Sequence, residues 1–199
     1  LELNTLNEEA VAFYNAVIDE FIAQGITPMM NLHHFDLPVE LYHRYGGWAS
    51  KTVVDLYAGF AEQAFRLFGD RVKTWFTHNE PLVVVEGGYY KQFHYPMKIE
   101  GKTAVQVAYN LQLASSKAIE KYRALKLDGQ IGMILNLTPP YPATQEAEDV
   151  QASEIADLWL NRMYLDASVK GSFPVKLIKL LEKEGVLWEN SEEELEIIK

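Results

Sequence analysis

Amphipathic helix patterns alternate along this sequence with short apolar runs, and this alternation is the feature that most limits the folds open to the chain. The apolar runs cover residues 26–33, 72–78 and 130–136. Each is bounded by glycine or polar residues, which is typical of a strand buried in a parallel sheet. The order helix–strand–helix–strand–helix–strand–helix therefore predicts an α/β fold.

The helices are predicted from capping residues and from apolar periodicity. Thr5-Leu6-Asn7-Glu8 has capping-box spacing, and a helix pattern runs from there to Gly25. Ser50 precedes a second amphipathic helix that ends at Gly69-Asp70. Later helices are predicted at about 103–125, 147–166 and 174–184, and from 191 onward. One face of the first helix is expected to pack inward through Ala10, Phe13, Tyr14, Val17, Ile18, Phe21 and Ile22.

Two α/β architectures are compatible with this order, a doubly wound sheet and a (β/α)8 barrel. Three strands cannot close a barrel, and a complete barrel needs about 250 residues, whereas this chain has 199. A barrel therefore requires further strands outside the chain. Such strands are compatible with a sequence that starts without methionine and ends inside a helix pattern.

Charge and composition bound the classes of function. The chain has 18 lysines and arginines against 28 aspartates and glutamates, a net charge of −10, which argues against nucleic acid or an anionic membrane as a partner. No run of 18 apolar residues occurs, so no transmembrane helix is expected. The chain contains no cysteine, which excludes disulfides and is compatible with a cytoplasmic protein. Association between copies of the chain is left open.

Polar side chains follow all three predicted strands at the point where each strand ends. The three segments are His33-His34-Phe35-Asp36, Thr77-His78-Asn79-Glu80-Pro81 and Asn136-Leu137-Thr138-Pro139. Histidine, asparagine and glutamate next to an apolar strand cost free energy unless they are paired or used. In a barrel, the carboxyl ends of the strands are where catalytic residues lie.

Asn79-Glu80-Pro81 carries the sharpest chemical signal of the three. Glu80 can serve as a general acid/base, and the Asn79 amide can donate a hydrogen bond to a sugar hydroxyl. Neighbours on a regular strand point to opposite faces, so both side chains reach one site only if the strand end is bulged or twisted. The alternative interpretation is a helix start with Pro81 as its first residue.

The histidines at 33, 34, 78 and 94 raise the possibility of a metal site, but neither a metal nor another cofactor is expected. His33 and His34 are adjacent and should point apart, and no HExxH spacing occurs. For His34 the alternative is a structural histidine. Trp48 is assigned to core packing rather than to a sugar platform, and the glutamates at 192–194 to a solvated helix N-terminus.

Three sequence blocks resemble glycoside hydrolase family 1 in content, order and spacing. They are residues 33–38 (HHFDLP), 45–48 (YGGW) and 68–81 (FGDRVKTWFTHNEP). The resemblance covers essentially the whole chain and implies a (β/α)8 barrel whose third, fourth and fifth strands lie here. Residues 1–199 are then a single, partial catalytic domain without the N-terminal and C-terminal strands.

The resemblance implies roles for four residues in a retaining β-glycosidase. Glu80 matches the general acid/base, which protonates the leaving oxygen and then deprotonates water. Asn79 matches the residue that binds the sugar 2-hydroxyl, His34 the residue that binds the 3-hydroxyl, and Asn136 a position near the leaving group. The nucleophilic glutamate of the family lies outside this chain, so the isolated chain is expected to be inactive.

Phe35 stands where the family usually has tryptophan. Together with the segments at 93–96 and 137–142, it resembles the bacterial 6-phospho-β-glucosidase branch. The substrate implied is a phosphorylated disaccharide or aryl glycoside in the cytoplasm. The alternatives are a plain β-glucosidase or β-galactosidase of the same family, a non-catalytic sugar-binding derivative, and an unrelated α/β scaffold.

Overall fold

The computed structural model describes residues 5–199 and contains three parallel strands with helices packed against them. The strands are β1 (Met29–Asn31), β2 (Thr74–Asn79) and β3 (Gln130–Ile134). They are hydrogen-bonded in the order β1-β2-β3, and both pairs are parallel. The predicted adjacent, parallel strands in chain order are therefore confirmed, although β1 and β3 are shorter than the apolar runs that predicted them.

The helices follow the predicted order, with two additional short ones. The helices described are α1 (Glu8–Ala23), α2 (Val39–Tyr45), α3 (Lys51–Phe68), α4 (Pro81–Tyr89), α5 (Gly101–Ala124), α6 (Ala147–Asp157), α7 (Met163–Lys170), α8 (Val175–Lys183) and α9 (Glu192–Ile198). A 3-10 turn covers Gly47–Ala49, and a π-helical turn, Leu158–Arg162, interrupts the helix predicted at 147–166. Asn7, not Thr5, caps α1 by accepting a hydrogen bond from the Ala10 amide at 3.1 Å.

The core lies between the sheet and the two helices α3 and α5. The α3 helix starts at the predicted Ser50 cap and buries one apolar face, which includes Val53, Ala61 and Phe65. The Phe65 ring meets the buried Trp75 of β2 edge-on at 4.9 Å. These helices connect β1 to β2 and β2 to β3, so they cover the same sheet that carries the polar strand ends.

The inward packing predicted for α1 is wrong for most of its apolar residues. Only Ile18 of that set is buried, whereas Phe13 is 62% exposed and Tyr14 is 50% exposed. The physical reason is that α1 precedes the edge strand β1, and the described sheet has no strand beyond β1 for this face to cover. Apolar periodicity identified the helix but could not say what covers it.

The C-terminal helix α9 contacts the start of α3 through an ion pair between Glu194, which was predicted to be solvated, and Lys51. Glu192 and Glu193 are exposed at the helix N-terminus, as expected. Glu194 is half-buried, lies 2.7 Å from the Lys51 ammonium and accepts a hydrogen bond from the Tyr109 hydroxyl at 3.2 Å. The assignment is thus wrong for Glu194, whose hydrogen bonds to Lys51 and the Ser191 amide lower its carboxyl pKa despite the opposing effect of burial.

Candidate active site

The polar segments that follow the three strands lie at one edge of the sheet, because the strands are adjacent and parallel. The Asn79 amide donates a hydrogen bond to the His33 carbonyl, and the Glu80 amide donates one to the Ile134 carbonyl, both at 2.9 Å. The end of β2 is thereby tied to the segments on either side of it. The four residues brought to this edge are His34, Asn79, Glu80 and Asn136.

The end of β2 is bulged before Asn79, whereas the sequence argument called for a bulge or twist that brings Asn79 and Glu80 to one site. The pairing register of β2 with β3 shifts just before Asn79. Thr77 and His78 both contact the helix layer: the Thr77 hydroxyl lies 2.7 Å from that of Ser115 in α5, and the His78 ring lies 4.7 Å from Tyr57 in α3. Thr77 and His78 are consecutive residues on the helix side of the sheet, so the regular alternation of side chains is broken between them. Alternation then resumes and directs the Asn79 side chain to the opposite face, away from the helices.

Glu80 forms the junction between β2 and α4. Its backbone is left-handed, with φ 47° and ψ 63°, and Pro81 is the first residue of the helix. A non-glycine residue in this conformation costs about 1–3 kcal/mol, and residues strained in this way cluster at functional sites. Its side chain makes no capping hydrogen bond to α4, so the carboxylate is not used to start the helix. The helix-start interpretation is therefore right about Pro81 and about the Glu80 backbone, whose carbonyl accepts a hydrogen bond from the Val83 amide at 2.9 Å, but it gives the Glu80 carboxylate no task.

The segment after β1 places His34 beside Phe35 at the same edge. The His34 ring is exposed and meets the Phe35 ring edge-on at 4.9 Å. Phe35 has a positive φ of 71°, and the Asp36 carboxylate accepts a hydrogen bond from the His34 amide at 2.9 Å. On its other side Phe35 lies 5.0 Å from the ring of His94, in the loop after α4. The turn after β1 is thus positioned by the hydrogen bond to Asp36 and by the contact of Phe35 with His94 in the loop after α4.

The loop that carries Asn136 is held by Asn161, a residue that the sequence analysis missed. The buried Asn161 amide accepts a hydrogen bond from the Thr138 amide at 2.9 Å and donates one to the Thr138 carbonyl at 3.1 Å. It also donates to Asp157 at 2.7 Å. Asn161 lies in the π-helical turn, a feature that often marks functional sites. An asparagine inside a helix pattern was the only available signal, because its partner is distant in sequence.

The histidines do not form a metal site. The described residues contain no group of three or more histidine, cysteine or acidic side chains arranged to hold a metal ion. His33 and His78 are both buried, with ring centroids 5.1 Å apart. Burial lowers the pKa of His33 to about 4, although nearby Asp36 opposes the shift, and burial lowers the pKa of His78 well below its usual value. Both imidazoles are therefore neutral near pH 7.

A cavity of about 560 Å³ lies beside β1 and α3, and its lining includes Leu37, Trp48 and Tyr57 but neither Asn79 nor Glu80. Its lining is mainly apolar, although His33 and Asp36 of the first strand-end segment contribute to it, and His34 and Asn136 do not. The buried Trp48 confirms the prediction that this residue packs in the core. The strand-end residues and not this cavity are therefore the candidate site.

Comparison with known proteins places the chain in a family. The model of the family described as glycosyl hydrolase family 1 matches residues 2–199. The 6-phospho-beta-glucosidase GmuD of Bacillus subtilis is 54% identical over 194 residues, which cover 98% of this chain and 42% of that protein. Beta-glucosidase A of Acetivibrio thermocellus is 37% identical over 193 residues, covering 97% of this chain and 43% of that protein.

The solved structures agree with the sequence relatives. A family 1 β-glucosidase from Thermotoga maritima superposes with a TM-score of 0.89 at 32% identity, covering 98% of this chain and 43% of that one. This chain spans about two fifths of the length of the relatives it matches. None of the helices in residues 5–199 combines the length and apolarity needed to cross a bilayer. The three strands form part of a (β/α)8 barrel, and the chain belongs to glycosyl hydrolase family 1.

Proposed function

We propose that residues 1–199 are the acid/base-bearing part of the single catalytic domain of a retaining β-glycosidase, and that the nucleophilic glutamate lies outside them. The observation that carries this proposal is the Asn79-Glu80 junction. The bulge of β2 directs Asn79 away from the helices, and the left-handed Glu80 leaves its carboxylate out of the helix cap. Both residues lie at the carboxyl edge of the sheet, where barrel enzymes carry their catalytic groups.

In this proposal Glu80 acts twice. It first donates its proton to the glycosidic oxygen while the nucleophilic glutamate attacks the anomeric carbon, which releases the alcohol and leaves a glycosyl-enzyme ester. The Glu80 carboxylate then takes a proton from water as that water attacks the anomeric carbon and frees the nucleophile. Asn79 binds the 2-hydroxyl, His34 binds the 3-hydroxyl, and Asn136 lies on the leaving-group side.

The proposed substrate is a 6-phospho-β-glucoside, either a disaccharide or an aryl glycoside, in the cytoplasm. The support is twofold. The chain is 54% identical to a protein named 6-phospho-beta-glucosidase, against 37% to one named Beta-glucosidase A. In addition, Phe35 removes the indole N–H that the family usually presents to the sugar. A plain β-glucosidase or β-galactosidase, or a sugar-binding protein without activity, is the alternative.

The test of the acid/base assignment is Glu80→Gln in a full-length protein that contains this chain. The variant keeps the shape of the side chain but cannot donate the proton, so hydrolysis of a substrate with a poor leaving group should slow roughly 10²–10⁴-fold. A nitrophenyl leaving group needs little protonation, so its departure should be affected less. Azide needs no general base and should restore turnover while forming a β-glycosyl azide.

A matched control is Glu62→Gln on α3, whose half-buried carboxylate pairs with Arg66 at 2.6 Å and with Lys121 of α5 at 3.3 Å. This variant should leave the rate on both kinds of leaving group unchanged. If Glu80→Gln behaves like Glu62→Gln, with an unaltered pH profile and no response to azide, Glu80 is not the acid/base.

A further inference from the structure

The loop after α4, residues 90–100, folds back onto the last turns of its own helix. The His94 amide donates a hydrogen bond to the Gly87 carbonyl at 3.1 Å, and the Lys98 amide donates one to the Gly88 carbonyl at 2.8 Å. Both glycines are buried beneath the loop. The loop after α4 is therefore fixed by backbone hydrogen bonds to the helix that the proposed acid/base precedes.

The close approach of this loop depends on the absence of a side chain at Gly87. A Cβ atom at this position would lie 2.5 Å from Cδ2 and 3.0 Å from Cβ of His94, and 2.8 Å from Cε2 of Phe93. Carbon atoms that are not bonded to each other pack best at about 3.5–4.0 Å, so these separations are repulsive. Gly87→Ala would therefore displace the His94 side chain from its present position.

The His94 side chain connects Gly87 to the turn after β1. Its ring lies 5.0 Å from the Phe35 ring at an interplanar angle of 34°. The Phe35 ring in turn meets the His34 ring edge-on at 4.9 Å. A continuous series of contacts thus runs from Gly87 in α4 to His34, the residue proposed to bind the sugar 3-hydroxyl.

Phe35 has a backbone conformation that needs support from its surroundings. Its φ of 71° lies in the left-handed region, which is unfavourable for a bulky residue. Such conformations persist only where the surrounding structure holds them. The hydrogen bond from the His34 amide to Asp36 holds the turn from within, and the His94 ring supports Phe35 from outside. Displacement of His94 would therefore let Phe35 relax, and the adjacent His34 would move with it.

The loop after α4 also contacts α2, the helix that follows this turn. The Tyr95 ring meets the Tyr42 ring edge-on at 4.9 Å, and the Tyr95 hydroxyl lies 3.2 Å from Nε2 of His43. Two consecutive loop residues, His94 and Tyr95, therefore hold the turn after β1 and the start of the next helix. The position of the loop determines the position of this whole segment.

We propose that Gly87 is a positioning residue for sugar binding. The absence of a side chain there lets the His94 ring support Phe35, and Phe35 sets the position of His34 at the 3-hydroxyl. Because α4 begins directly after Glu80, the same helix then relates the position of the acid/base to that of His34. This inference rests on the proposed function, to which the role of His34 belongs, and adds the residues that hold His34 in place.

The test compares kcat/KM of the full-length enzyme for an aryl β-glucoside and for its 3-deoxy and 2-deoxy analogues. All three carry the 6-phosphate or all three lack it, according to which form the enzyme hydrolyses faster. A site that hydrogen-bonds a hydroxyl discriminates against a substrate without it. The parent enzyme should therefore prefer the complete sugar to the 3-deoxy sugar by about 10-fold or more.

Gly87→Ala should lower this preference for the 3-hydroxyl to less than about threefold, because His34 no longer meets that group. The preference for the 2-hydroxyl, which depends on Asn79, should change by less than about twofold. A general loss of active enzyme would slow all three substrates alike and would leave both ratios unchanged. The selective loss of one ratio is therefore specific to a displaced His34.

Gly59→Ala is the matched control. Gly59 lies in α3, and a Cβ atom there would meet no packed neighbour within 4 Å among residues 5–199, so both preferences should keep their parent values. Two substitutions of His94 test the same contact without crowding α4. His94→Ala removes the ring and should lower the 3-hydroxyl preference as Gly87→Ala does, whereas His94→Phe keeps a planar ring and should retain it. This pair decides the proposal by the same ratios if Gly87→Ala does not fold.

The outcomes distinguish this proposal from the one on which it rests. If the parent enzyme shows no preference for the 3-hydroxyl, the role of His34 is wrong and this proposal fails with it, while Glu80→Gln tests the acid/base separately. If the parent shows the preference but His94→Ala and a folded Gly87→Ala keep it, the positioning role alone is wrong. Equal loss of the 2-hydroxyl and 3-hydroxyl preferences in these variants, or loss of the 3-hydroxyl preference in His94→Phe, also overturns the positioning role.

Discussion

The backbone amide of Glu80 donates a hydrogen bond to the carbonyl of Ile134 at 2.9 Å. Glu80 lies beyond the regular part of β2, whose register with β3 has already shifted, so this bond re-joins the two strands after the bulge. Asn136 follows Ile134 closely in the same segment. The position of the proposed acid/base is therefore coupled to the loop that carries Asn136, and residues that hold this loop are expected to affect Glu80.

The first prediction concerns Asn161, which holds that loop through Thr138. Asn161→Asp keeps the size of the side chain but loses the donors to the Thr138 carbonyl and to Asp157. It also places two carboxylates together at a buried position. We expect the free energy of unfolding of the full-length enzyme to fall by about 1–3 kcal/mol, as measured by urea denaturation, and kcat to fall with it.

The control for this prediction is Asn15→Asp on α1. The Asn15 side-chain oxygen accepts a hydrogen bond from Arg71. An aspartate carboxylate at this position can therefore pair with the Arg71 guanidinium, and the free energy of unfolding should change little. Equal stability of Asn161→Asp and the parent enzyme would mean that the Asn161–Thr138 hydrogen bonds do not hold the loop.

The second prediction concerns stability against pH. Burial lowers the pKa of His33 from 6.5 to about 4 in the folded protein, so between these values the unfolded chain binds a proton that the folded chain does not. The free energy of unfolding must then fall as the pH falls from about 6.5 to 4, by on the order of 3 kcal/mol for this group. His78, whose pKa is lowered in the same direction by burial, adds to the slope.

Urea denaturation of the full-length enzyme at intervals between pH 7 and pH 4 measures this slope. His33→Phe removes the titrating ring, and the slope should become shallower. Phe65→Leu changes a buried ring that carries no titrating group, so it should lower the stability without altering the slope. If the free energy of unfolding of the parent and of His33→Phe fell with pH along parallel slopes, His33 would bind its proton equally well in the folded and unfolded states, and the prediction would be wrong.

Much of this arrangement was predictable because it depends on local periodicity. Apolar runs bounded by polar residues predicted three parallel strands, and the polar residues after them predicted which edge carries His34 and Glu80. The sequence argument called for a bulge or twist at the end of β2 so that Asn79 and Glu80 reach one site, but no residue in the sequence specifies the bulge that lies before Asn79. Its position depends on contacts of Thr77 and His78 with α5 and α3, which only tertiary packing determines.

The errors have the same origin. Periodicity shows that a helix has an apolar face but not whether a partner covers it, so Phe13 was wrongly expected to be buried. A run of glutamates indicates a helix N-terminus, but the ion pair between Glu194 and Lys51 joins residues far apart in sequence. The Asn161–Thr138 pair was missed for this reason too, since the π-helical turn that presents Asn161 is not evident from residue types.

The third prediction concerns the 199-residue chain by itself. Retention of configuration needs a nucleophile about 5–5.5 Å from the acid/base, and we propose that this nucleophile lies outside the chain. The purified chain should therefore not hydrolyse an aryl β-glycoside, even where circular dichroism shows that its helices have formed. The full-length enzyme, assayed beside it, is the positive control. Turnover by the short chain that Glu80→Gln abolishes would require a nucleophile within residues 1–199.

The last prediction concerns the 6-phosphate of the substrate. If the proposed substrate class is right, the full-length enzyme should prefer a β-glucoside that carries a 6-phosphate over the plain glucoside. We expect lysine, arginine and hydroxyl side chains outside this chain to bind the phosphate by charge-assisted hydrogen bonds. The net charge of −10 does not oppose this, because a local basic cluster sets the potential at the site.

Two or three such hydrogen bonds supply several kcal/mol, which corresponds to a preference of about 100-fold or more in kcat/KM. The measurement compares kcat/KM for 4-nitrophenyl β-glucoside with and without the 6-phosphate, and the galactoside pair shows whether the preference follows the phosphate or the sugar. Glu80→Gln should lower kcat/KM for both glucosides by a similar factor, because it acts on the glycosidic bond and not on the phosphate. Equal values for the two glucosides, or a preference for the plain sugar, would place the enzyme with the ordinary β-glucosidases and leave the role of Glu80 unaffected.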